Sequence, residues 1–224
     1  MPRAALFDVD GTLTDTTYLH VTAWWEALRQ AGHEVPTVAL HRAIGLGGHD
    51  LIAHALGEGR DQDQDEAISA AHKTLFGAWH ERLAALEGAR ELLHALHDRG
   101  WLIVLVTSAG PGELAAMRRA LDADDLISHI SSASDVARGK PAPDSLEQAR
   151  ETAGAAREQT VFIGDSVWDM EAASRAGVTA VGVLSGGIPR ADLEDAGAQE
   201  IYQDPADLLT RLDESVYARL ERAS

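Results

Sequence analysis

The sequence predicts an α/β fold: a parallel sheet flanked by helices, interrupted near its start by an all-helical insert. Three observations carry this. Apolar runs at Ala4 to Asp8, Trp101 to Val106, Thr160 to Ile163 and Val178 to Val183 read as strands, and helical segments alternate with the later ones. The stretch from Thr16 to about Arg82 shows helical periodicity and no convincing strand. Finally, strand candidates end on polar groups, at Asp8 with Asp10, at Thr107-Ser108 and at Gly164-Asp165. In parallel α/β sheets, sites lie at that carboxyl edge.

The elements follow in order. Thr16-Thr17 can cap a helix through Tyr18, Val21, Trp24, Trp25 and Leu28, ending at Gly32. Pro36 opens a second helix towards Ile44, and Gly45 to Gly48 is a break. Asp50 to Leu56 is a third helix, Gly57 to Asp65 an acidic loop, and Glu66 to Leu86 one long fourth helix. Ala89 to Arg99 is helical up to Gly100. The continuous run Trp101 to Val106 then reads as a strand buried on both faces. A helix at Pro111 to Leu121, a weak strand at Ile127 to Ser131 and a helix at Asp144 to Ala153 precede the strand at Thr160. Trp168 to Ala176 is helical. After the strand at Val178 to Val183, short elements at Ala191 to Ala196, Gln199 to Tyr202 and Pro205 to Leu212 lead to a last helix reaching Arg222. The expected division is a core of residues 1–14 and 86–224 and a helical domain of residues 15–85.

Composition narrows the function. The 224 residues carry a formal net charge of -17, which argues against nucleic acid or anionic membranes as partners. No apolar run approaches a membrane span, and the N-terminus enters the first strand too soon for a signal peptide. With no cysteine, disulfides and thiolate catalysis are excluded and a cytoplasmic location is expected. An anionic substrate on so acidic a chain needs local positive charge. Lys73 and Lys140 are the only lysines.

The chemistry concentrates on carboxylates. Asp8 and Asp10, two residues apart in an extended segment, begin on one side of the chain and repel each other unless a cation or proton lies between them. Asp8 can attack an electrophile, and Asp10 can give and take a proton. The plain alternative is an exposed Asp-Gly turn. Asp165 and Asp169 are spaced i, i+4, which places both on one face of a helix's first turn, where acidic residues also serve as caps. Four converging carboxylates favour a hard divalent cation, Mg2+ above all. Thr107 and Ser108 offer hydroxyls and amides to a phosphoryl oxygen. Lys140, in a loop held by Gly139, Pro141 and Pro143, is the candidate cation beside it.

Asp8-Val9-Asp10-Gly11-Thr12, Thr107, Lys140 and Gly164-Asp165 with Asp169 resemble, in order, the four signature motifs of the haloacid dehalogenase superfamily. The resemblance implies a Rossmann-like core with an inserted helical cap and a small phosphorylated metabolite as substrate. It implies an aspartyl-phosphate on Asp8, acid/base work by Asp10, and phosphoryl binding by Thr107 and Lys140. It also implies Mg2+ held by Asp8, the backbone carbonyl of Asp10 and Asp165, with Asp169 in support. Haloacid dehalogenases lack the second aspartate, so Asp10 points to phosphoryl transfer. Lys73 lies too late in the cap for the Schiff-base lysine of phosphonoacetaldehyde hydrolases. The chain is similar to phosphoglycolate phosphatases in Gly164-Asp165-Ser166, and to β-phosphoglucomutases in Thr16, His20 and Trp24. Its cap loop lacks the Lys and Arg with which the mutases grip a second phosphate, although Arg42 and His49 can partly substitute. The expectation is a Mg2+-dependent phosphatase, monomeric or homodimeric, with His20, Trp24, Arg42 and His49 facing the substrate; a phosphosugar mutase is the alternative.

Overall fold

The computed structural model describes residues 2–132 and 138–223. Six parallel strands form one sheet: β1 (Arg3–Phe7), β2 (Trp101–Thr107), β3 (Ile127–Ser132), β4 (Thr160–Gly164), β5 (Thr179–Val183) and β6 (Glu200–Tyr202), in the order β3-β2-β1-β4-β5-β6. Between β1 and β2 come α1 (Thr17–Gln30), α2 (Thr37–Ala43), α3 (Gly48–Leu56), α4 (Asp65–Gly77) and α5 (Ala89–Asp98). The rest are α6 (Pro111–Leu121), α7 (Asp144–Thr152), α8 (Val167–Ala176), α9 (Arg190–Asp195), α10 (Pro205–Thr210) and α11 (Val216–Ala223).

Strand alternation explains the two layers. Ala5 and Phe7 of β1, with Ile103, Leu105, Val161 and Ile163, face α5, α6, α10 and α11. Ala4 and Leu6, with Val104, Val106 and Phe162, face α7, α8 and α9. Strands β1, β2, β4 and β5 are buried on both sides, hence their unbroken apolar runs, whereas the edge strand β3 exposes Ser128 and His129. A third core, built on Val21, Leu28, Leu40, Leu51, Ile52 and Ile68 of α1–α4 with Ile44 and Leu46 between them, packs against Trp168 of α8.

The helical insert joins the sheet through two paired linkers. Asp15 N–H donates to Ala84 O at 3.0 Å and Leu86 N–H to Leu13 O at 2.9 Å. This pairing corrects the fourth helix, expected to run from Glu66 to Leu86. It ends at Gly77; Trp79 and His80 turn their rings edge-on to Phe76, and a single 3-10 turn spans His80–Arg82. Residues 83–86 must be extended to reach residues 13–15, and a helix has no free amides for that. Glu200–Tyr202 forms the edge strand β6. Sheet order reverses at β1, between β2 and β4, so the crevice beyond their carboxyl ends lies under the insert.

Candidate active site

Asp8 directly follows β1, its amide still donating to Ile163 O at 2.9 Å. The chain then folds into a tight turn in which Val9 O accepts from Leu13 N–H at 2.9 Å and Thr14 N–H at 3.0 Å. Gly11 lies in this turn at φ +77°, and a Cβ there would come within 2.4 Å of Asp165 Oδ2.

Lys140 Nζ donates to Asp8 Oδ1 at 2.5 Å and to Asp169 Oδ1 at 2.7 Å. Lys140 is only 4% exposed, so its ammonium is buried between these two aspartates. Asp169 also caps α8. Its Oδ2 accepts from Ser166 N–H at 3.1 Å and Ser166 Oγ–H at 2.6 Å, while its own N–H donates to Ser166 Oγ at 3.2 Å. The capping and functional readings of Asp169 thus use different oxygens. Asp165 does not share a helical face with Asp169. The helix starts at Val167, and Asp165 lies in the turn before its N-cap, where Thr12 Oγ–H reaches it at 3.1 Å.

Asp8, Asp165 and Asp169 bring one oxygen each to within 4.8 Å of one another. Burial, with Asp169 and Asp10 adding to it against Lys140, pushes the Asp8 carboxyl up to about 7. Burial and the neighbouring carboxylates push Asp165 well up too. Burial opposes the Lys140 charge, but Asp169 and Asp8 outweigh it and raise its pKa. Three buried carboxylates against one ammonium leave negative charge uncompensated, in an all-oxygen donor set that fits a hard divalent cation. The Asp10 side chain is not among the carboxylates that gather there, and its Oδ1 is bound to Thr16 and His20 instead.

Gly186 closes the cradle. It ends the 3-10 turn after β5, and a Cβ there would overlap Asp165 Oδ2 at 1.7 Å. Gly186→Ala must therefore push Asp165 aside. The expected result is a rise of about tenfold or more in the concentration of divalent cation giving half-maximal activity, measured by metal titration of turnover; an unchanged value counts against Asp165 as a ligand.

Asp10 Oδ1 accepts from Thr16 Oγ–H at 2.7 Å and meets His20 Nε2 at 3.0 Å. Burial raises the Asp10 carboxyl, but His20 and Thr16 outweigh it and hold it below the ordinary value. Burial lowers His20, and Asp10 more than reverses this. Both bonds fall on Oδ1, leaving Oδ2 for the adjoining cavity. That cavity encloses ≈ 450 Å³ between sheet edge and insert, and Asp8, Asp10, His20, Trp24 and Ser108 border it. Ile44, Leu46 and Leu51 give the insert's wall an apolar surface, with Lys73, His20 and His49 among its basic groups. Of the adjacent tryptophans, Trp24 faces inward and Trp25 is 37% exposed under Arg29.

The other expected residues divide. Thr107 is buried and its Oγ accepts from Ala109 N–H at 3.0 Å, which shapes the loop presenting Ser108. His49 borders the cavity, but its ring is shared with Asp50 at 3.5 Å and Asp65 at 3.7 Å. Arg42 corrects the expectation. It is exposed, pairs with Asp192 at 3.1 Å, and its carbonyl accepts from Trp168 Nε1–H at 2.9 Å. The helical turn of α2 directs its side chain to α9, outside the cavity.

The haloacid dehalogenase-like hydrolase profile matches residues 2–177. The chain belongs to that family. A phosphoglycolate phosphatase of Rhodospirillum rubrum is 31% identical over 221 residues, covering 93% of this chain and 90% of its own. A validoxylamine A 7'-phosphate phosphatase of Streptomyces hygroscopicus subsp. limoneus is 30% identical over 188 residues, covering 83% and 87%. The crystal structure of a hydrolase from Pseudomonas syringae superposes with a TM-score of 0.90 at 38% identity, covering 95% of this chain and 98% of that one. Among the described residues of this hydrolase no helix is long and apolar enough to cross a membrane.

Sequence reasoning passed over Thr12 as a partner of Asp165, Gly186 as its backstop, and the pair His72 and Glu113. Thr12 closes the Asp8-Val9-Asp10-Gly11-Thr12 motif. The i, i+4 spacing of His72 and Phe76 was a visible signal that they share a face of α4. For Glu113 the only signal was its place three residues after the N-cap Gly110.

Proposed function

We propose that this hydrolase is a Mg2+-dependent phosphatase that cleaves a small phosphomonoester through an aspartyl-phosphate on Asp8, as its phosphoglycolate phosphatase relatives suggest. One observation carries the reading. The Asp8 carboxylate stands beside a buried ammonium and a carboxylate cluster, while Asp10, held by His20 and Thr16, reaches the same cavity.

Substrate enters the cavity with its phosphoryl group towards Asp8, held by Lys140, Thr107 and Ser108. An Asp8 oxygen forms the new P–O bond as the ester P–O bond breaks. A proton on the Asp10 oxygen that faces the cavity passes to the leaving oxygen, and Thr16 and His20 hold the carboxylate that remains through its other oxygen. Water then attacks the phosphorus of the aspartyl-phosphate and gives its proton to Asp10, and phosphate and Asp8 separate. A cation held by Asp8, the Asp10 carbonyl and Asp165, with Asp169 in support, would supply charge neutralisation to the phosphoryl oxygens. Residues 15–85 serve as the cap that excludes water, over a core of residues 1–14 and 86–224.

Phosphatase is preferred to phosphosugar mutase because Arg42, a candidate grip for a second phosphate, is bound to Asp192 instead. The test is phosphate release from a panel of phosphomonoesters, including phosphoglycolate, sugar phosphates and p-nitrophenyl phosphate, with Mg2+ or with EDTA. Release with Mg2+ that EDTA abolishes supports the reading. Release from no ester refutes it, and isomerisation of β-glucose 1-phosphate with little free phosphate establishes the mutase.

A further inference from the structure

Beyond Asp10 and His20 the line of polar contacts continues. His20 Nδ1 meets His72 Nε2 at 3.0 Å, and His72 Nδ1 faces Glu113 Oε1 at 4.0 Å. Asp10 follows β1 and Glu113 stands in the first turn of α6, whereas His20 and His72 belong to α1 and α4. The line therefore leaves the sheet, crosses the helical insert and returns to the sheet layer.

Its far end is chemically unfinished. Glu113 is buried; Oε2 accepts from Gly110 N–H at 2.9 Å, while Oε1 has no hydrogen-bond partner. A carboxylate oxygen shielded from water without a donor is unfavourable. His72 Nδ1 faces it about 1 Å beyond hydrogen-bond reach. The rings between are held by stacking. His72 lies on Trp24 with centroids 3.9 Å apart and planes 12° from parallel. His20 lies on Phe76 at 3.9 Å and 14°. Neither ring turns without losing its stack.

A carboxylate at Glu113 also sets the direction of the line. It favours the His72 proton on Nδ1, which leaves Nε2 to accept from His20 Nδ1–H, with His20 Nε2–H facing Asp10. A bare Nδ1 lone pair opposite the carboxylate would be repelled.

We propose that His72 and Glu113 are positioning residues for Asp10. Acting through His20, they hold the Asp10 carboxyl aimed at the leaving-group oxygen. The proposal rests on the phosphatase reading and adds two residues from separate parts of the molecule.

The dependence of kcat/KM on the leaving group tests it, because kcat/KM covers steps up to cleavage of the ester bond. p-Nitrophenolate departs without a proton, whereas an alkoxide needs one. The variants are His72→Phe, which keeps a ring on Trp24, and Glu113→Gln, which keeps the side-chain shape and an acceptor for Gly110. Each should lower kcat/KM for the fastest alkyl phosphate of the panel about tenfold or more, since misplaced catalytic groups cost about that much. p-Nitrophenyl phosphate should lose less than about threefold, the proton being dispensable there. His72→Gln, with an amide oxygen near the Nε2 position, should recover much of the alkyl ester rate. Equal losses for both esters, no loss, or a rise in KM at unchanged kcat overturns the proposal. A wild type that hydrolyses nothing overturns the phosphatase reading instead.

Discussion

Asp8→Asn abolishes turnover while leaving the metal-free fold at least as stable as the wild type. An amide cannot form the phosphoryl intermediate, so a loss beyond about 10⁴-fold is expected, in line with the removal of other enzymatic nucleophiles. The stability half follows from the electrostatics. Asp8 has its pKa raised from 3.8 to about 7, chiefly by burial. Between those values the folded chain binds more protons than the unfolded one, so wild-type stability falls as pH rises through that window. Above about pH 7 the full penalty of the ionised group persists. The asparagine variant escapes it and keeps the Lys140–Asp169 pair. Thermal unfolding in EDTA should show the variant's advantage growing from about pH 4 to 7 and then levelling, worth a few kcal/mol at most. Added Mg2+ should shrink the gap by stabilising the wild type. A variant clearly less stable than wild type at pH 7.5 in EDTA contradicts this account of Asp8, and surviving turnover removes Asp8 as nucleophile.

Lys140→Met costs both stability and activity. The side chain is of similar length and apolar, so packing is nearly kept and the lost quantity is charge. Asp8, Asp165 and Asp169 would then share one buried site without their ammonium. Removing one partner of a buried ion pair destabilises by about 3–5 kcal/mol. Turnover should fall by at least about 10²-fold, because the phosphoryl group loses an oriented cation in a water-excluded site. Mg2+ should raise the melting temperature of this variant more than that of the wild type, since it would be the cluster's only remaining positive charge. A variant that melts like the wild type in EDTA shows that Lys140 does not balance the cluster. Together the two substitutions separate roles, because one removes negative charge from the site and the other removes positive charge.

Much of this was legible from local pattern. Strand runs, helix caps and the glycine after the Asp pair are short-range signals, so Asp8, Thr107, Lys140 and Gly164-Asp165 were assigned to strand ends or adjoining loops. Lys140 stood out by scarcity, and the structure shows it buried between two aspartates. Arg42 was misplaced because a seven-residue helix does not reveal from sequence which side will meet the cavity and which will meet Asp192. The fourth helix ends at Gly77, short of the pattern that predicts it to Leu86, because its end is set by linker pairing with residues 13–15 and by no strong breaker of its own.

The sequence by itself determined the order of strands and helices, and hence which residues stand at the sheet's carboxyl edge. Periodicity and turn residues act over a few positions and need no knowledge of the rest of the chain. Tertiary structure alone decided who touches whom across that edge. His20 meets His72 across 52 residues, and Thr12 meets Asp165 across 153. Gly186 backs onto Asp165 from the far side of β5. Such contacts depend on how separate elements pack, and close packing lets only particular side chains share the space.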